Sequence, residues 1–117
     1  MIDDNLRKRI DDDVIRPALQ SVVNVRGGEL DRNIPKAHIF GGVLEFVIEP
    51  KTNDAWAIYI KWSEPPHPGR HWAGDVLPGH EFSVNATTNW DDLIEKLSKV
   101  AQAQAAEMNK KFGTLHQ

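Results

Sequence analysis

A chain of 117 residues, 40% hydrophobic and 26% charged, is long enough to bury one core and too apolar to remain unfolded. Its net charge of −3 excludes a long-range pull toward nucleic acid or an acidic membrane, and the absence of cysteine excludes disulfides, thiolate nucleophiles and cysteine-ligated zinc. No apolar run approaches about 18 residues and MIDDNLRKRIDDD lacks the apolar centre of a signal peptide, so the expected compartment is the cytoplasm.

The first predicted element is an amphipathic helix over about 3–25. Ile2, Leu6, Ile10, Val14, Ala18 and Val22 recur every four residues, and Ile15, Leu19 and Val23 widen the stripe. Pro17 removes a backbone donor and crowds the carbonyl of residue 13, so the helix is expected to kink there or to divide near Arg16. Gly27 and Gly28 supply a stop, and Glu29 to Lys36 reads as a polar connector.

Two strands are predicted next, over about 37–49 and 55–62, joined by the turn-like PKTND. Alternation places Phe40, Gly42, Leu44, Phe46 and Ile48 on one face of the first, and Trp56, Ile58, Ile60 and Trp62 on one face of the second. Even residues must therefore oppose even residues, with Phe46 expected opposite Trp56 or Ile58. A slip of one residue would expose four large side chains, each worth about 1.5–3 kcal/mol when buried. The adjacent Gly41 and Gly42 read as a bulge, a close approach of another backbone, or room for Trp62 or Ile60 across the pair.

A long connection, 63–80, follows. It carries four prolines and three histidines together with Arg70 and Trp72. A third strand is predicted over about 81–86, with Phe82, Val84 and Ala86 alternating against Glu81, Ser83 and Asn85. The final helix, about 89–112, is capped by Thr88 or Asn89 and has the stripe Trp90, Leu93, Ile94, Leu97, Val100, Ala101 and Met108. Its AQAQAA segment reads as a thin middle, either facing solvent or closely packed.

The fold class is thus a single α+β domain, α-β-β-β-α, with a three-stranded antiparallel meander and two terminal helices packed mainly on one sheet face. The other face carries Ile39, Val43, Val47, Ala57 and Tyr59, too apolar for a fully solvated surface and interrupted by Glu45, Glu49 and Lys61. Either the segment before Pro17 or another chain is expected to cover it.

This order of elements resembles that of double-stranded RNA-binding domains. Those domains present lysines to phosphate at the start of their last helix, whereas this chain has Trp90, Asp91 and Asp92 there, and two carboxylates repel phosphate. Nucleic acid is accordingly the second alternative. His67, His71 and His80, with Glu64 and Asp75, are the one concentration of metal-ligand types, but Pro68 and Gly69 argue against a helix that would align the first two. They define the first alternative, a small metal-dependent or hydrolytic enzyme. No nucleophile elbow, zinc-protease helix or phosphate-binding glycine loop is present, so no catalytic residue, metal or cofactor is assigned. The favoured reading is a non-enzymatic interaction module that self-associates or binds a protein. Three surfaces are candidates: the second sheet face (Ile39, Val43, Val47, Tyr59), the edge of the first strand, and the 63–80 loop (Arg70, His71, Trp72). Tryptophan and arginine in the loop are side chains enriched at interface hot spots.

Overall fold

The computed structural model describes residues 3–39, 42–52, 54–63, 75–76 and 79–115, with backbone alone for 75, 76 and 111–115. The chain runs through α1 (Asp4–Ile10), a π-helical segment (Asp11–Ile15), α2 (Arg16–Arg26), β1 (Glu29–Leu30), β2 (Lys36–Ile39), β3 (Gly42–Pro50), β4 (Ala55–Ser63), β5 (Asp75–Val76), β6 (His80–Ser83) and α3 (Trp90–Leu115). This is an α+β fold with helices at both ends and an antiparallel sheet. Among the described residues no helix is long and apolar enough to cross a membrane.

Asp3 caps the first helix, its Oδ1 accepting from the Leu6 N–H at 2.8 Å. The chain then stays helical to Arg26, because the turn before Pro17 widens instead of breaking. The Arg16 N–H reaches back five residues to the Asp11 carbonyl, and this wider turn makes room for a ring that would crowd the carbonyl of Asp13. Leu6, Ile10, Val14, Ile15, Ala18, Leu19 and Val22 are all buried, as their spacing requires. Contacts with α3 place the π segment and α2 on the shared core, and Arg9 donates to Asp91 at 2.8 Å across the two helices. The segment before Pro17 therefore does not fold over the second sheet face.

The connector 29–36 is more ordered than its polarity suggests. β1 pairs with β2, and the Asp31 carboxylate accepts from the backbone N–H groups of Asn33 and Ile34 at 2.8 and 3.1 Å, while Arg16 donates to the carbonyls of Asp31 and Arg32. These two N–H donors, and then His38 at 3.5 Å, hold the Asp31 carboxyl below the usual carboxylate range. A carboxylate whose pKa is depressed by folding stabilises the fold above its unfolded value, and loses that contribution as pH falls through the folded one. Asp31→Asn keeps an acceptor but no charge. Its melting temperature should lie between those of wild type and Asp31→Ala at neutral pH, and its gap from wild type should close on acidification.

The predicted first strand is two strands. β2 and β3 run antiparallel with Ala37 opposite Leu44 and Ile39 opposite Gly42, so the chain reverses between Ile39 and Gly42. That reversal flips the parity: odd residues of β2 share a face with even residues of β3. Phe40 and Gly41 lie outside the described residues. β3 and β4 then pair along their whole length, even to even as expected, but with Phe46 opposite Ile60 and Trp56 opposite Pro50. The displacement from the predicted partners arises because Pro50 ends β3 instead of opening the turn, and Lys51 and Thr52 both donate to the Ala55 carbonyl.

With β3 on one side of β4, β5 and β6 share the other, which gives five lateral strand positions where three were predicted. Lys61 opposes Val76 in β5 and Ile58 opposes His80 in β6. Beyond β6, Val84 remains buried and donates to the Asp54 carbonyl at 2.9 Å, whereas Ala86 is exposed in a turn held by the Asn85 side chain. Asn89 is the cap of α3, accepting from Asp91 and Asp92 N–H groups at 3.1 and 3.2 Å. Ala101, Gln104 and Ala105 are buried, so the thin segment of α3 is the closely packed one. It lets Gln104 approach the Ile58 carbonyl at 3.5 Å.

Candidate interaction surface

Both helical regions pack on the face formed by Ala37 and Ile39 of β2, Leu44, Phe46 and Ile48 of β3, and Ile58, Ile60 and Trp62 of β4, all of which belong to one core with the helices. The opposite face can be read row by row from the register. Across β1 to β4 one row is Glu29, His38, Val43 and Ser63; the next, from β2, is Lys36, Glu45 and Lys61; then come Val47 with Tyr59, and Glu49 with Ala57 and Glu81. Val43, Val47 and Tyr59 are half-buried and lie outside the core cluster, with no described helix on them.

Of the five residues expected on this face, four are there and one is not. Ile39 is 2% exposed and lies on the helix side, a correction that follows from the chain reversal before Gly42. Ala57 sits on the second face but is covered between Glu49 and Glu81. The expected free edge of the first strand is also corrected, since β2 occupies it from Gly42 to Glu45. Arg70, His71 and Trp72, like Glu64 and His67, lie outside the described residues. Ser63 and Asp75, the described residues that flank 64–74, pair with Val43 and Trp62 at the Val43 end of the sheet.

The polar groups of this face are organised along one side. Tyr59 Oη donates to Glu49 Oε2 at 3.2 Å, and Lys51 Nζ lies 2.7 Å from Glu49 Oε1. The lysine hydrogen bond holds the Glu49 carboxyl below its usual range and raises Lys51 in turn. Partial burial, with the neighbouring carboxylate, pushes the Tyr59 hydroxyl above its ordinary value. A tyrosine kept neutral with its ring across Val47 is an amphipathic contact, not a proton donor poised near neutrality. His80 is exposed at the edge strand, on a cleft of ≈ 460 Å³ between β6 and the first turns of α3, with Asp92 and Lys96 on its far wall. Among the described residues no group of three or more side chains is arranged to hold a metal ion.

No family model, curated relative or solved structure matches this chain. The Glu45 and Lys61 pairing escaped the sequence reading, which treated both as interruptions of an apolar face. Once Val47 is set opposite Tyr59, the same parity sets Glu45 opposite Lys61, and that was the available signal.

Proposed function

We propose that this protein is a non-enzymatic interaction module that docks a protein through the second face of its sheet. The observation that supports this is the apolar set Val43, Val47 and Tyr59 on a face that carries no described helix. Solvent contact at such a set is unfavourable by about 25 cal/mol for each Å² of apolar area, so covering it contributes to association. The charged residues around it favour a polar rim of the kind that excludes water from a small apolar centre. Arg70, His71 and Trp72 belong to the same proposal as a second contact set, because Ser63 and Asp75, the described residues on either side of 64–74, stand at the Val43 end of this sheet.

A photo-activated cross-linking residue at position 47 should give covalent protein adducts in cells, whereas the same residue at Lys99, 78% exposed on α3, should give few. Equal labelling from both positions, or no adduct from position 47, overturns the proposal.

A further inference from the structure

We infer that the protein docked on this face is a second copy of the same chain, packed sheet to sheet about a two-fold axis that runs along the strands between β3 and β4. The inference rests on the reading of this face as a docking surface and names its occupant.

The argument is one of charge and symmetry. Packed sheets lie about 10 Å apart with their strands within about 30° of parallel, so residues of like height face one another. Four placements of a two-fold axis in the plane between two such sheets can be compared. An axis across the strands through the Val47–Tyr59 row sets Glu45 against Glu49 of the second copy, and one through the Glu45–Lys61 row sets each charge against itself. An axis along β3 again opposes Glu45 to Glu45, and one along β4 opposes Lys61 to Lys61. Each of these faces like charges.

An axis between β3 and β4 does the reverse. It carries β3 over the second copy's β4 at equal height, so Glu45 faces Lys61 and Lys61 faces Glu45, while Val47 and Tyr59 face each other twice. The property that makes this possible is that opposite partners already stand side by side in the register. Among the described residues no ion pair involves Glu45 or Lys61. The two rows are about 7 Å apart along the strands, near enough to the axis for the 30° rotation to keep both opposed.

The area is that of a weak interface. The nine-residue β3 and β4 are about 30 Å long and together about 10 Å across, roughly 300 Å² on each copy. The shorter β2, β5 and β6 add to this without bringing the total above about 1,000 Å², the range of transient association. A weak, concentration-dependent dimer is the expected result.

The test is a charge exchange read by sedimentation equilibrium from low micromolar to about millimolar chain, with each variant first shown to be folded by circular dichroism. Wild type should dimerise; Glu45→Lys and Lys61→Glu should each weaken dimerisation at least about tenfold. An equimolar mixture of the two variants should regain it, because position 45 of one copy then meets the opposite charge at position 61 of the other in both places. The double variant Glu45→Lys with Lys61→Glu should regain it as well. A monomeric wild type, single variants that dimerise normally, or a mixture no better than its components would each overturn the inference. A monomeric wild type combined with position-47 adducts of a different mass would overturn self-association alone and leave the docking face standing. Absence of any adduct would overturn both.

Discussion

Gly28→Ala is expected to lower the stability of the fold by about 3 kcal/mol or more, and Gly27→Ala by about 1–3 kcal/mol. Both glycines have positive φ, 80° and 103°, so alanine is strained at either position. They differ in what a side chain would meet. At Gly27 nothing lies within 4 Å of an added Cβ, and the penalty is conformational. At Gly28 the added carbon would lie 2.4 Å from the His38 carbonyl oxygen and 3.2 Å from the Ile39 Cβ. That carbonyl belongs to β2, which is held on both sides by β1 and β3 and cannot retreat without loosening two ladders. Denaturant unfolding of the two variants side by side isolates the steric part. Equal losses would mean that β2 yields to the methyl group at little cost. Against a total stability of about 5–15 kcal/mol, the larger value threatens folding at elevated temperature.

The second large effect is at the contact between Gly42 and Trp62. Trp62 is 4% exposed, and its ring packs where a Gly42 side chain would otherwise stand: an added Cβ would lie 2.7 and 2.8 Å from two ring carbons and 2.6 Å from the Ser63 carbonyl oxygen. Trp62→Ala should cost about 3–5 kcal/mol through lost burial and the cavity left behind. Gly42→Ala should cost about 2–3 kcal/mol through overpacking. The two changes touch the same space, so their sum should exceed the cost of the double variant by about 1 kcal/mol or more, with the remaining penalty at Gly42 assigned to the Ser63 carbonyl. Strict additivity would show that the ring moves aside freely and that the backbone oxygen carries the whole effect. This pair also decides among the readings open for Gly42, since space for the tryptophan is the observed use of the missing side chain.

The parts of the molecule legible in the sequence are those governed by one element's own periodicity. A four-residue recurrence from Leu6 to Val22 specifies the buried side of a helix wherever that helix packs, and Pro17 alters one turn without changing which residues face the core. Alternation within 42–48 and 56–62 likewise specifies which residues of each strand share a face, and the cost of exposing four large side chains forces the even residues together. For this reason Val43, Val47 and Tyr59 were identifiable as a common surface before any coordinates.

Ile39 was not, because its face depends on a reversal between two strands that a continuous β-rich segment conceals. The Gly-Gly pair was the local sign of that reversal, but glycine is equally compatible with a bulge or a close packing site. The short strands β1 and β5 carry too few residues for any period to register, and they exist because neighbouring backbones offer them partners.

From sequence alone came the α+β class, the helical stripes, the parity of the central hairpin and the amphipathic character of its second face. Tertiary structure alone decided that β2 folds back on β3, that the segment before Pro17 stays with the other helices on one side, and that Glu45 stands beside Lys61 and Val47 beside Tyr59. Periodicity is a property of a single segment, whereas the relation between segments is set by long-range pairing and by which surfaces are already taken.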